Sequence, residues 1–140
     1  ESLDELLKES DFISLHLPAT PATEHIINAA AIANMKDGVI LINTARGALV
    51  EEQALANALA AGKVRAAGLD VLTEEPPQQG TPLLAAPNVT ITGHVAWLTR
   101  ESRLRAVDMA IDNFSSYLQG VPKSLINQPA TKKPKEYFIN

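Results

Sequence analysis

At 140 residues, 46% of them hydrophobic, the chain is long enough to bury one ordinary domain core. Its formal charge of −4 argues against a nucleic-acid binder, which needs a basic face to displace phosphate counterions, and the lack of cysteine excludes disulfides and thiolate metal sites. No apolar run approaches the roughly 20 residues that span a bilayer, and no signal-peptide pattern opens the chain, so a cytoplasmic protein without a membrane partner is the expectation.

The chain opens at Glu1 directly on a helix signal, which reads as the interior of a longer protein. Ser2 and Glu5 have the spacing of a capping box, and Leu3, Leu6 and Leu7 mark one helical face. Phe12 to Leu17 is a short apolar strand that Pro18 ends. Pro18 to Thr23 reads as loop, because two prolines remove backbone donors. Asn28 is placed to cap a helix over Ala29 to Met35, closed by Gly38. Val39 to Ile42 shows no alternation, which predicts an interior strand of a parallel sheet covered by helices.

Glu51 to Ala61 predicts a helix stopped by Gly62. Strands follow at Val64 to Val71 and Val89 to Thr92, separated by a loop from Thr73 to Pro87 with a single turn near Pro82. A long helix from about Thr99 to Gln119 carries Leu104, Val107, Ile111, Phe114 and Leu118 at steps of three and four, a seam expected to pack as intramolecular core. Gly120 and Pro122 end it. Alternating helices and strands with short connections predict a doubly wound α/β sheet with right-handed crossovers.

In such sheets ligands bind beyond the carboxyl ends of the strands. Arg46, Glu75 and His94 each follow a different strand, so three separate connections deliver them to one edge. Arginine offers a planar fork that matches a carboxylate, and histidine gains and loses a proton near neutral pH. A carboxylate beside the imidazole fixes its tautomer and favours its charged form. The trio suits a substrate with a carboxylate next to a carbonyl: arginine holds the acid, and histidine donates a proton as hydride arrives.

The stretches SDFISLHLPATPAT, MKDGVILINTARG, AAGLDVLTEEP and NVTITGH closely resemble the D-isomer-specific 2-hydroxyacid dehydrogenases, over about Ser2 to Asn127. The resemblance implies a partial Rossmann-like doubly wound parallel sheet of about four strands with a long C-terminal helix. Residues 1–127 would form the C-terminal half of a dinucleotide-binding domain, and 128–140, with Lys132, Lys133 and Lys135, a surface-trailing or partly disordered tail. It further implies that Arg46 binds the substrate carboxylate and carbonyl, that His94 is the general acid/base, and that Glu75 is its partner. Contacts to NAD or NADP would come from Pro18, Thr23, Thr44, Ala45, Arg46, Asp70, His94 and Ala96, with Asp70 holding the carboxamide. The substrate would be a small 2-keto or 2-hydroxy acid, and the protein a homodimer.

The sequence also departs from that pattern. No three of its seven glycines fit GxGxxG, so the phosphate-binding turn and the acidic residue that reads the ribose are absent. Gly93 stands where the family usually has proline, and Ala96-Trp97 where many members have two glycines. Alone, this chain is therefore expected to turn over negligibly, and a non-catalytic fragment or a corepressor-like binding module of the same fold is the alternative reading. Glu75 competes with Glu74, and Asp70 has a second reading as a brace for the following turn. His16 is expected to pack inside its strand, His25 to be exposed, and Trp97 to anchor packing beside the site. The Phe12–Leu17 strand is expected to offer a free edge through which the chain self-associates.

Overall fold

A computed structural model describes residues 2–78 and 80–126. The chain divides into two compact units, Glu1–Ala96 and Trp97–Asn140. The expected tail at 128–140 lies outside the described residues. No helix among the described residues is long and apolar enough to cross a membrane.

The first unit begins with α1 (Leu3–Glu9), whose capping box is formed: Ser2 Oγ accepts from the Glu5 N–H, while Glu5 accepts from the Ser2 N–H at 2.8 Å. β1 (Phe12–Leu15), α2 (Ala29–Asn34) and β2 (Val39–Asn43) follow, then a 3-10 turn at Gly47–Leu49 and α3 (Glu52–Ala60). β3 (Val64–Leu69), a second 3-10 turn at Pro82–Ala85 and β4 (Val89–Ile91) complete it. Asn28 caps α2 through its side chain, and Gly62, at φ 75°, takes the chain out of α3 in a conformation that β-carbons disfavour.

All four strands are parallel and lie side by side in chain order. The register levels their carboxyl ends: Leu15 pairs with Asn43, Asn43 with Leu69, and Leu69 with Ile91. Whatever follows each strand therefore leaves from one edge at one height. Sequence spacing suggests a common edge, and the register shows the strand ends to be level.

The core lies on one face of the sheet. Ile13, Leu15, Leu41, Ala67 and Leu69 point to it and meet Leu7, Ile32, Leu55 and Leu59 of the three helices. Leu41 and Leu55 are wholly buried, each worth about 1.5–3 kcal/mol relative to an exposed side chain. The opposite face differs from the expectation for β2. Its burial alternates, with Val39, Leu41 and Asn43 inside, Ile40 half-buried and Ile42 36% exposed. Strands added in one direction with same-handed crossovers place their helices on one side only, so within this unit the apolar run is covered on a single face. Phe12, on the free edge strand, is 65% exposed.

The second unit contains α4 (Arg100–Leu118), capped by Thr99 Oγ1 accepting from the Ser102 N–H. Its expected core seam is not buried. Leu104, Val107, Ile111, Phe114 and Leu118 are each at least half exposed. Periodicity identifies the helix and its apolar stripe but does not say what covers the stripe. Trp97, expected to anchor packing, is 55% exposed.

Candidate active site

The Arg46 turn starts from a buried polar residue at the end of β2. Asn43, 1% exposed, accepts the Ala45 N–H through Oδ1 at 3.0 Å and donates through Nδ2 to the Arg46 carbonyl at 2.9 Å. One amide side chain thus shapes the whole turn. Arg46 itself is extended and exposed, and its guanidinium donates to the Ala45 carbonyl at 2.6 Å.

Gly47 then passes so close to the next loop that a β-carbon there would lie 2.0 Å from the Leu72 carbonyl carbon and 2.3 Å from the Thr73 nitrogen. Arg46 is therefore one residue from a backbone contact with the segment that carries Glu75. Glu75 Oε1 accepts from the Leu72 N–H at 2.8 Å, and Oε2 meets His94 Nδ1 at 2.7 Å. Of the competing carboxylates it is Glu75, not Glu74, that reaches the imidazole. With Nδ1 committed to Glu75, His94 presents Nε2 as its free ring nitrogen.

His94 sits at φ 58°, a left-handed conformation uncommon outside glycine. Asp70 holds it there. The Asp70 carbonyl accepts the His94 N–H at 2.9 Å, and its buried carboxylate accepts from the Val95 and Ala96 N–H groups at 2.9 and 2.8 Å and from the Thr92 hydroxyl. Asp70 thus braces the turn after β4, whereas the alternative reading expected it to brace the turn that follows it in the chain.

Burial works to raise the Asp70 carboxyl, but the Thr92 hydroxyl, the two N–H donors and the nearby His94 outweigh it and hold it below its ordinary value. Burial opposes ionisation of Glu75 too, and the bonds from His94 and the Leu72 N–H again prevail, lowering it. Both groups are carboxylates at neutral pH.

Two clefts open on this edge, sharing Asp70 and Thr92. One, of about 490 Å³, is lined by Glu75, Pro76, Ile91 and His94 among others. The second, of about 420 Å³, lies against the uncovered sheet face between Ile42, Thr44, Gly68, Thr90 and Ala96. A β-carbon on Gly68 would touch nothing within 4 Å, so β3 leaves an open, mostly apolar shelf bordered by Thr44 and Thr92. A flat ring fits such a shelf, and the nicotinamide end of a dinucleotide is a group of that shape.

Of the expected cofactor residues, Thr44, Asp70 and Ala96 line the second cleft, and Ala45 packs against the core. Pro18 and Thr23 stand beyond β1, where Thr23 Oγ1 donates to the Pro18 carbonyl at 2.7 Å and closes that loop on itself. His25 is exposed, as expected. His16 is not packed in β1, which ends before it; it is exposed, with Nε2 2.8 Å from Ser14 Oγ.

Sequence reasoning misses Asn43, Thr92 and Glu52. Asn43 carries a readable signal, since Asx side chains bond two residues ahead in turns. Thr92 becomes readable only with the register, because it is one step past β4 as Asp70 is one step past β3. Glu52 has no local signal, since its partners are 21 and 29 residues away.

A model of the family described as D-isomer specific 2-hydroxyacid dehydrogenase, NAD binding domain, matches residues 1–96. Among curated relatives, a hydroxypyruvate reductase of Blautia hydrogenotrophica is 51% identical over 90% of this chain and 39% of its own length. Among solved structures, an acyclic imino acid reductase in complex with NADPH and D-Arg aligns at a TM-score of 0.83 and 38% identity, over 91% of this chain and 40% of that one. A D-lactate dehydrogenase from Aquifex aeolicus, complexed with NAD and lactic acid, aligns at 0.74 and 41% identity, over 86% and 40%. The chain thus spans about two fifths of the proteins it matches.

Proposed function

Because the chain belongs to the NAD-binding domain family of the D-isomer specific 2-hydroxyacid dehydrogenases, we propose that it supplies the catalytic half of an enzyme that reduces a small 2-keto acid to the D-2-hydroxy acid. The observation that carries this reading is the Glu75–His94 pair at 2.7 Å, facing a cleft on the strand edge from which Arg46 also emerges. Arg46 binds the substrate carboxylate with two parallel N–H donors and orients the carbonyl beside it. Glu75, held ionised by the Leu72 N–H and His94, fixes the imidazole with Nδ1 inward. His94 Nε2 then gives its proton to the carbonyl oxygen, and in the reverse direction takes it back.

NAD or NADP, held by Thr44, Ala45, Arg46, Asp70, His94 and Ala96, with Pro18 and Thr23 at the far end, supplies the hydride when bound. Asp70 keeps Val95 and Ala96 turned inward and so shapes the wall of that shelf. His94 is partly open to solvent, which gives the proton it donates a route of replacement.

The phosphate-binding glycine loop has no counterpart in this sequence, so the complete enzyme is a longer protein and this chain alone turns over negligibly. The 2-keto acid, NAD(P)H and a second subunit are the partners we assign. A homodimer in the cytoplasm fits a reaction drawing on dissolved cofactor, and the free β1 edge gives an isolated chain a further route to self-association. The test is NADH or NADPH oxidation with hydroxypyruvate by the full-length protein, with the glycerate product resolved by chirality. A D-hydroxy acid product is expected; an L-product, or turnover by residues 1–140 alone, contradicts the reading. Light scattering of the isolated chain checks self-association, and a monomer at high concentration counts against it.

A further inference from the structure

We propose that Glu52, in the first turn of α3, is a positioning residue for the Glu75–His94 pair. The inference rests on the functional reading only for its consequence in turnover; the geometry stands without it. Glu52 Oε1 accepts from the Thr73 N–H at 2.7 Å, and Oε2 accepts from the Thr81 hydroxyl. Thr73 and Thr81 flank Glu75 in sequence, so one half-buried carboxylate ties both sides of the Glu75-bearing segment to a helix anchored in the core by Leu55 and Leu59.

Among the described residues, no other side-chain hydrogen bond joins this segment to an α-helix. Glu74, Glu75 and Pro76 are exposed residues outside regular structure, and Glu75 spends one oxygen on the Leu72 N–H and the other on His94. Each bond to Glu52 joins groups far apart in the chain, so neither forms from local preference. The tie lies against the Gly47 contact, where the backbone of the Arg46 turn meets Leu72 and Thr73. Glu52 therefore fixes the distance at which the Glu75 carboxylate is delivered to His94, and its loss lets that carboxylate wander while leaving sheet and helices intact.

The role separates from a simple charge effect by chemistry. In Glu52→Gln the amide oxygen still accepts from the Thr73 N–H and the amide NH2 donates to the Thr81 hydroxyl. Glu52→Ala removes both ties, and Thr81→Val removes one without altering any charge.

The experiment is nuclear magnetic resonance of the uniformly 15N-labelled full-length protein, reading the His94 ring nitrogens and the Nδ1 proton shared with Glu75. Glu75 and Asp70 are charged groups facing that ring, so Glu75→Ala, which leaves Nδ1 without its partner, defines the signals of a broken pair. In Glu52→Ala the His94 signals should move more than half of the way to those of Glu75→Ala. In Thr81→Val they should move part of the way, and in Glu52→Gln they should stay at the wild-type values. Core amide signals from β1 to β3 report that each variant is folded, and Thr81→Val carries the test if Glu52→Ala is not. Wild-type His94 signals in folded Glu52→Ala or Thr81→Val would overturn the proposal, as would a Glu52→Gln shift as large as that of Glu52→Ala. Failure of the dehydrogenase reading would instead appear as no keto-acid turnover by the full-length wild type, with these shifts unchanged.

Discussion

Gly47→Ala perturbs the point where the Arg46 turn and the Glu75 segment touch. Gly47 does not adopt a positive φ, so the requirement there is space rather than conformational freedom. The added carbon would stand 2.0 Å from the Leu72 carbonyl carbon and needs about 1.4 Å more to reach 3.4 Å, the inner edge of ordinary contact. The obstructing atoms are backbone, so no side chain can swing away. A movement of that size carries the Leu72 N–H bond to Glu75, now 2.8 Å, and the Thr73 N–H bond to Glu52, now 2.7 Å, beyond hydrogen-bond range. Overpacking costs about 1–3 kcal/mol, and each of the two lost bonds to a charged acceptor about 1.5–3 kcal/mol. The expected destabilisation is therefore about 4–9 kcal/mol, a large part of the roughly 5–15 kcal/mol that holds a domain folded. Urea unfolding followed by circular dichroism measures it, with Gly68→Ala as the control, since a β-carbon there meets nothing and should stay within about 0.5 kcal/mol of wild type. Coincident midpoints for the two variants would refute the contact.

Asp70 and Glu75 are both lowered on folding, so they contribute stability that is complete above their unfolded values, near 3.9 and 4.3, and is lost as pH falls through those values toward the folded ones. Acid titration of thermal stability should therefore drop below about pH 4, and Asp70→Asn should flatten that drop; an unchanged slope in the variant would contradict the assignment. Asp70→Ala leaves the Val95 and Ala96 N–H groups and the Thr92 hydroxyl without their acceptor and should cost about 2–4 kcal/mol by denaturant unfolding. Asn43→Ala should cost about 1–3 kcal/mol and, in the full-length enzyme, raise KM for both the keto acid and the cofactor, because Asn43 shapes the turn that carries Thr44, Ala45 and Arg46. Unchanged KM values for both would place this turn outside the binding site.

What was legible in the sequence divides along physical lines. Local signals carried well: the Ser2 capping box, the Asn28 cap, Gly62 after α3 and the order of all four strands follow from neighbours a few residues apart. Arg46, Glu75 and His94 are legible as a set because each lies in the connection that leaves the carboxyl end of a strand, and those strand ends are level. Burial was harder to read. The Val39 to Ile42 run is apolar on both sides, yet only one side meets helices within its unit, and the stripe on α4 is exposed throughout. His16 lies outside β1, which ends one residue before it. The bracing by Glu52 and Thr92 depends on tertiary register, which one-dimensional spacing does not contain.

His94→Gln in the full-length protein tests the central claim most directly, because it keeps a polar side chain of similar size while removing the proton that Nε2 would give. The measurement is the single-turnover rate of 2-keto acid reduction with saturating NAD(P)H, alongside cofactor binding by fluorescence. A rate reduced by about 10²–10⁴ with cofactor affinity held within a few-fold is the predicted result. A rate equal to wild type would contradict the assignment of His94 as the proton donor, and with it the role given to Glu75.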